Sequence, residues 1–427
     1  MNLDRTKAPA FHPIPDFPLV RPYIYRLSNG ITVYYMEGGT QPVVRFQAIF
    51  DAGRWYEKQK GNAYFTAKML TEGTKKHTSE QIHELIDFYG ASFFVFQDGD
   101  DKLVMTTECL SKFLPDILAV FTEILTEASF PEKEWDILQN NSLQQIRINL
   151  EKNAFLANCL LGEYLFGTDH PYGYWLNEEI IANYQLDSVR SHYEDYIYEC
   201  PFEVLIAGKL DERAKNAMLR QLESLPVRKS EAKRGFQGDC TACVERKVYR
   251  AREKSLQTSL RIGTSLFPAN HPDRIAFTVL NEVLGGYFGS RLMQNLREEK
   301  GYTYSIYSAT AYLLRGSYFF ISTDVIKEHK DHALEEIYKE IATLKTQPIE
   351  KEELDKVKSH IAGSYIKAIS HPFGMADYYF KMVLLNKLSP EHCDEYISMV
   401  NAIEPEQLLA VANRYLQESS FVEIAVG

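Results

Sequence analysis

The sequence lacks any apolar run that approaches the roughly 18–20 residues needed to span a membrane. Its first residues, MNLDRTKAPAFHPIPDF, contain no apolar stretch of the kind found in a secretory signal, so we expect no such signal. Cysteine is scarce, with six residues scattered over 427. This usage favours free thiols in a reducing compartment, and we therefore expect a cytoplasmic protein.

Positive charge is also in deficit. The 47 Lys and Arg residues stand against 58 Asp and Glu residues, which gives a formal net charge of -11. Such a field opposes binding to nucleic acid and to anionic membranes, so we expect neither as a partner. The chain has instead a length of 427 residues and an abundance of aromatic side chains, with 27 Tyr and 24 Phe. These suit two or three domains with large cores, or an aromatic-lined groove.

The sequence contains an internal repeat. YIYECPFEVLIAG (196–208) and YLQESSFVEIAVG (415–427) share Tyr, Glu, Phe and Gly at an offset of 219 residues. Glu-Lys-Glu at 132–134 recurs at 350–352, an offset of 218. Several echoes at nearly constant offset, close to half the length, predict two homologous halves.

Within each half, strand-like alternation mixes with amphipathic helical stretches, without strict strand–helix alternation. We therefore expect an α+β fold: two homologous domains of mostly antiparallel sheet with helices packed on it. The predicted domains are residues 1–226 and 248–427, joined by a polar, basic linker at 227–247. Cys240 and Cys243 in this linker could form half a zinc site or a redox pair, or be incidental.

A third pattern is GNAYFTAKMLTEGT (61–74), which places Tyr64, Ala67 and Lys68 on one face of a predicted helix. It follows a strand ending in DAG and precedes KKHTS. The second half contains LGGYFGSRLMQNLREEKGYTYSIYS (284–308). In these stretches and in its duplication, the chain resembles the insulinase/pitrilysin family of zinc peptidases, which includes the mitochondrial processing peptidases. The resemblance implies that the two domains form half of a peptide-admitting chamber.

The resemblance also implies what has been lost. The family helix carries H-x-x-E-H, whose histidines bind zinc and whose glutamate activates the zinc-bound water; a later glutamate completes the site. Here the histidine positions hold Tyr64 and Lys68, and the water-activating position holds Ala67. The distal position falls at Gln144-Gln145, with Gln145 as the matching residue. We expect this chain to bind no metal or other cofactor.

The second-half signature is retained. In the family its glycines bind substrate, and an Arg and a Tyr seven residues later reach the zinc site; the matching residues are Gly285, Gly286, Arg297 and Tyr304. A guanidinium and a phenol can donate hydrogen bonds to a peptide carbonyl and to its oxyanion. From the residues alone, Arg297 could equally belong to a charged helix end, and Tyr304 could simply pack.

The hypothesis that accounts for both the losses and the retention is a non-catalytic subunit of a heteromeric zinc peptidase. It would lend Arg297 and Tyr304 to the zinc site of a homologous partner that has an intact motif, and would act on peptide substrates. The zinc would then be found in the partner. The alternatives are a structural scaffold with no role in hydrolysis, and a homodimer that binds peptides.

Overall fold

The computed structural model describes residues 6, 14–98, 101–228, 235–238 and 245–427. Their strands form two separate sheets. The strands are β1 (Tyr23–Arg26), β2 (Thr32–Glu37), β3 (Val43–Phe50), β4 (Ser92–Asp98), β5 (Lys102–Leu110), β6 (Glu203–Gly208), β7 (Lys247–Arg250), β8 (Gln257–Leu266), β9 (Thr303–Tyr312), β10 (Ser317–Ile326) and β11 (Val422–Val426).

The α-helices cover more of the described chain than the strands. They are α1 (Asn62–Met69), α2 (Ser79–Phe88), α3 (Leu114–Glu127), α4 (Glu132–Leu150), α5 (Asn153–Phe166), α6 (Glu178–Asn183), α7 (Leu186–Tyr196), α8 (Glu212–Glu223), α9 (Arg274–Asn281), α10 (Lys330–Thr346), α11 (Lys351–Ile369), α12 (Pro372–Tyr379), α13 (Pro390–Asp394), α14 (Tyr396–Asn401) and α15 (Pro405–Tyr415). π-Helical turns follow at Glu282–Gly286, Met293–Glu299 and Phe380–Leu385. None of the helices in these ranges is long and apolar enough to cross a membrane.

The two sheets have the same strand order, which confirms the predicted α+β fold of two homologous domains. The first runs β1-β2-β6-β3-β5-β4, and the second runs β7-β11-β8-β10-β9. In each sheet one pair is parallel, β2 with β6 and β7 with β11, and the other pairs are antiparallel. Without β1, each strand of the first sheet has a counterpart in the second.

The helices repeat at the offset seen in the sequence. Helices α4 and α11 each contain 19 residues and begin at 132 and 351, an offset of 219. Helices α5 and α12 begin at the same offset, at 153 and 372. Local sequence signals also mark where helices begin. For example, Thr78 and Gln81 form a reciprocal capping box at the start of α2.

Helix α5 lies in the first half of the sequence but packs on β8 and β11 of the second sheet. Its apolar side chains form one buried cluster with Val422, Ile424 and Val426 of β11. Gly263 on β8 allows the close approach, because a Cβ there would lie 2.9 Å from Cδ1 of Leu161 on α5. The first half therefore covers one face of the second sheet.

The second half does the same for the first sheet. Helix α12 packs on β2 and β6. Its Tyr379, together with Phe380 and Leu384 of the π-helical turn that follows, is buried against the first sheet: Met36, Ile49, Val104, Leu205 and Ala207. Each such fully buried side chain contributes roughly 1.5–3 kcal/mol. The two halves are thus joined by an exchange of equivalent helices.

A polar contact also links the halves at the turn of the β9–β10 hairpin. Arg315 from this turn lies 3.3 Å from Oδ1 of the buried Asp101, measured from Nε. Its guanidinium carbon lies 4.5 Å from the centroid of the Trp55 ring. The hydroxyl of Tyr172 donates to the same aspartate. This contact ties one end of the hairpin to the first half.

The predicted linker is described only in part. Phe236 donates its N–H to the carbonyl oxygen of Trp55 at 2.7 Å, and its ring lies edge-on to the ring of Trp55. Cys240 and Cys243 lie outside the described residues, so their role stays open. The domain boundaries at 226 and 248 remain a prediction.

Candidate functional site

Helix α1 contains three of the degenerate positions. It begins after Gly61, whose φ of +102° is a left-handed conformation that glycine adopts without strain. Ala67 is buried, Tyr64 is half-buried and Lys68 is exposed. The helix is held in the core by its other buried side chains: Asn62, Ala63, Phe65, Thr66 and Met69. Its position depends on core packing and requires no metal.

Tyr64 and Gln145 line one cavity of about 270 Å³ between α1, α4 and α5. Gln145 donates from Nε2 to Oδ1 of Asn149 at 3.1 Å. Arg54 brings a positive charge to the wall, and the remaining lining residues are neutral: Ser142, Ile146, Asn149, Phe155, Cys159, Trp175, Leu176 and Ile181. The structure therefore brings two of the four predicted positions to one cavity.

These residues do not fit zinc. Zinc is bound in proteins by imidazole, thiolate and carboxylate groups. A phenol, an amide and a methyl group offer almost no ligand. Cys159 in the cavity wall is a single thiol, and burial raises its pKa to about 12. The charge of Arg54 in the same wall disfavours a cation. In the parts of the chain that the structure describes, no group of three or more His, Cys, Asp and Glu side chains is placed to hold a metal ion. The described residues at this cavity therefore offer no complete ligand set for zinc.

A buried carboxylate lies at the start of the same helix and was not found from the sequence. Glu57 accepts a hydrogen bond at Oε1 from the N–H of Ala63, at 2.7 Å, and another at Oε2 from the hydroxyl of Tyr174. The carboxylate is buried, whereas the residue as a whole keeps partial contact with solvent. Burial raises the pKa of Glu57 to about 7, despite these hydrogen bonds. An acid just before a helix start was the available signal.

The retained glycines lie in the π-helical turn Glu282–Gly286. Gly285 is buried, and a Cβ there would lie 2.6 Å from the backbone nitrogen of Ser308 on β9. Its close approach is therefore to this chain's own strand. Gly286 is exposed, with the Glu282 carboxylate on the side where its Cβ would lie. Of the two predicted substrate-binding glycines, Gly286 is the one open to solvent.

Arg297 and Tyr304 lie side by side on the surface. The guanidinium carbon of Arg297 is 5.1 Å from the centroid of the Tyr304 ring and 4.6 Å from that of Phe288. Tyr304 is 85% exposed and Phe288 is 64% exposed, so neither ring is placed there by core packing. An ion pair of 3.4 Å joins Arg297 to its neighbour Glu298. The sequence predicted the Arg–Tyr pair but missed Phe288, an aromatic residue within the glycine-rich segment.

The strand that carries Tyr304 is the outermost strand of its sheet. In the described part of the chain, β9 pairs with β10 on one side and is the last strand of the order on the other. The backbone groups on the outer side of an edge strand can pair with an extended peptide. Arg297, Tyr304 and Gly286 thus lie near an edge to which a peptide strand could add.

Comparison with known proteins identifies the family. Residues 33–160 match the model described as "Insulinase (Peptidase family M16)", and residues 183–361 match "Peptidase M16 inactive domain". The two matches cover both halves. The chain belongs to the insulinase family, peptidase family M16.

Individual relatives match this M16 chain over most of its length. It is 24% identical over 399 residues to the "Uncharacterized zinc protease YmxG" of Bacillus subtilis, covering 92% of this chain and 95% of that protein. It is 25% identical over 349 residues to the "Non-peptidase homolog YmxG" of Helicobacter pylori, covering 78% and 77%. A crystal structure described as peptidase M16 inactive domain from Pseudomonas fluorescens superposes with a TM-score of 0.83 at 22% identity, covering 96% and 98%.

Within the M16 family this chain is a catalytically inactive member. By the resemblance set out above, Tyr64, Ala67, Lys68 and Gln145 stand at the positions of the metal ligands and the water-activating glutamate, and this assignment stays a prediction. The fold that carries the motif is nevertheless kept, with α1 and α4 adjacent to one cavity.

The first prediction concerns Glu57. Because the pKa of its folded form, about 7, lies above the ordinary 4.5, the protonated form favours the fold. Its contribution to stability is fully present below pH 4.5 and is lost as the pH rises to 7, a change of roughly 3 kcal/mol. Glu57→Gln should therefore make the melting temperature depend less on pH between pH 4.5 and 7. Above pH 7 it should raise the melting temperature. A Glu57→Gln profile parallel to that of the wild type would contradict this.

Glu123 offers a control of opposite sign. Burial opposes ionisation there, but hydrogen bonds from Thr74 and His77 prevail and lower the pKa of Glu123. Its stabilising contribution is present above the ordinary pKa and is lost as the pH falls through the folded pKa. Glu123→Gln should therefore destabilise the protein at neutral pH, where Glu57→Gln stabilises it.

The second prediction concerns metal. The purified chain should carry far less than one zinc per molecule in metal analysis, because its cavity offers no ligand set. The combined changes Tyr64→His, Ala67→Glu, Lys68→His and Gln145→Glu should create a site that holds about one zinc. The same combination with Lys68 kept should bind zinc much more weakly. One tightly held zinc per wild-type chain would refute the loss of the site.

Proposed function

We propose that this chain is the non-catalytic subunit of a heteromeric M16 peptidase, and that it supplies Arg297, Tyr304 and a peptide-binding edge to the zinc site of a homologous partner. The observation that carries the proposal is a contrast between two sets of residues. The zinc positions on α1 and α4 hold residues without metal chemistry, whereas the Arg297–Tyr304 pair is retained and assembled on the surface.

Exposure supports a role outside this molecule. A tyrosine with 85% of its surface in solvent contributes little to the core, so packing gives no reason for its presence. Its contact with Arg297 places the two donor groups side by side. Preorganised donors of this kind stabilise an oxyanion far more than mobile ones do.

The chemistry of the pair suits peptide hydrolysis. Hydrolysis of a peptide builds negative charge on the carbonyl oxygen. A zinc held by the partner would supply the activated water. The Tyr304 hydroxyl and the Arg297 guanidinium can both donate hydrogen bonds to that oxygen. The zinc and the water-activating glutamate would come from the partner. The relative from Bacillus subtilis that is named a zinc protease is of similar length, which makes an M16 partner with an intact motif a natural candidate.

A cytoplasmic location belongs to the same proposal. Four cysteines in the described ranges, Cys109, Cys159, Cys200 and Cys393, are free thiols. Free thiols are the usual state of cysteine in a reducing compartment.

The third prediction tests the donors. Tyr304→Phe removes one hydroxyl and keeps the ring on Arg297, so it should lower the kcat of the assembled complex by about 10²–10³-fold. Arg297→Lys keeps the charge but loses the planar fork, so it should also lower kcat. Tyr307→Phe is the matched control, since Tyr307 is an exposed tyrosine on the same strand, and it should leave kcat unchanged.

Assembly must be measured in parallel, by size-exclusion chromatography of the mixed subunits. Under the proposal, Tyr304→Phe and Arg297→Lys assemble normally and turn over slowly. A scaffold predicts weaker assembly or lower stability with unchanged turnover per complex. A homodimer that binds peptides predicts self-association and no rate enhancement when an M16 partner is added. Normal assembly with wild-type turnover in both variants would overturn the proposed donor role.

A further inference from the structure

A second cavity, of about 210 Å³, lies in the second half between α9, α11 and α12. It is the counterpart of the cavity at the lost zinc site. Several of its lining residues stand 219 positions after lining residues of the first cavity: Ser364 after Gln145, Ala368 after Asn149 and Tyr378 after Cys159. The duplication has therefore produced two equivalent cavities, and the family motif concerns only the first.

The chemistry of the second cavity is set by Arg274 at the start of α9. Arg274 is 7% exposed and lines the cavity. Its Nη1 lies 3.5 Å from Nε2 of His392 and its Nη2 lies 3.1 Å from the sulfur of Met382. The guanidinium carbon is 5.4 Å from the centroid of the Tyr312 ring. These neighbours are neutral or weak acceptors for a group with five N–H donors.

Arg274 has no counter-charge among the residues that the structure describes. Its buried Nε has no hydrogen-bond acceptor there, and no carboxylate lies within ion-pair distance of its guanidinium. The acid that shares the cavity, Glu282, is paired instead with His360 at 3.2 Å. Burial raises the pKa of Glu282, with His360 opposing the shift. A buried cation without a partner is strongly unfavourable for the fold.

We propose that this cavity binds a small organic carboxylate, which pairs with Arg274 and places its apolar part among the rings of Tyr365, Tyr378 and Tyr396. The fork of a guanidinium matches the two oxygens of a carboxylate. The aromatic wall favours a ligand with an apolar body over a bare inorganic anion. Ser364 and Ala368 lie on the exposed side of α11, so the cavity opens to solvent between them.

The test uses the purified full chain and benzoate as the probe. Benzoate should raise the melting temperature in a saturable manner and give a 1:1 binding isotherm in calorimetry. Benzamide, which has the same ring but no charge, should do neither. Arg274→Met should weaken benzoate binding at least about 10-fold, because it removes a charge-assisted hydrogen bond. Without ligand, the melting temperature of this variant should equal or exceed that of the wild type.

Two further variants keep the proposal falsifiable if Arg274→Met does not fold. Ala368→Leu narrows the exposed mouth without touching Arg274 and should weaken benzoate binding in a folded protein. Arg54→Met removes the guanidinium of the first cavity and should leave benzoate binding unchanged. No saturable effect of benzoate, an equal effect of inorganic phosphate, or loss of binding in Arg54→Met but not in Ala368→Leu would each overturn the proposal.

Discussion

Each half of the chain covers the sheet of the other half with a helix. Helix α5 lies on the second sheet, and α12 lies on the first. Neither sheet can bury both faces without the other half, so this exchange fixes the whole architecture. Packing within the first half accounts for the position of helix α1. Helix α1 carries the vacated positions, but Phe65 on α1 packs against Trp135 and Tyr184 in the first core. The metal ligands could be lost, whereas the helix could not.

Core packing also distinguishes the cavity at the predicted zinc positions from the exposed Arg297–Tyr304 pair. Tyr64 and Gln145, at two of the predicted zinc positions, line a half-buried cavity. Arg297 and Tyr304 lie on the surface, where core packing imposes no such demand, and they are nevertheless retained and in contact. The equivalent cavity of the second half differs from the first, because Arg274 is buried in its wall.

Sequence reasoning predicted much of the fold, because the signals were local or repeated. The two homologous halves expected from the 219-residue offset are confirmed by the matching strand orders and by the starts of α4 and α11. The π-helical turns around Gly286 and Arg297 were not predicted, because they continue ordinary helical patterns. Phe288, Glu57 and Arg274 were missed as well. Their environments are made by residues distant in sequence, and periodicity carries no information about those contacts.

The most direct measurement is a structure of the complex with the proposed M16 partner, in which the partner's water-activating glutamate is replaced by Gln so that a peptide stays bound. The account predicts that the Tyr304 hydroxyl and the Arg297 guanidinium lie within hydrogen-bonding distance of the scissile carbonyl oxygen. It would be contradicted if both side chains faced solvent while the partner's own residues contacted that oxygen.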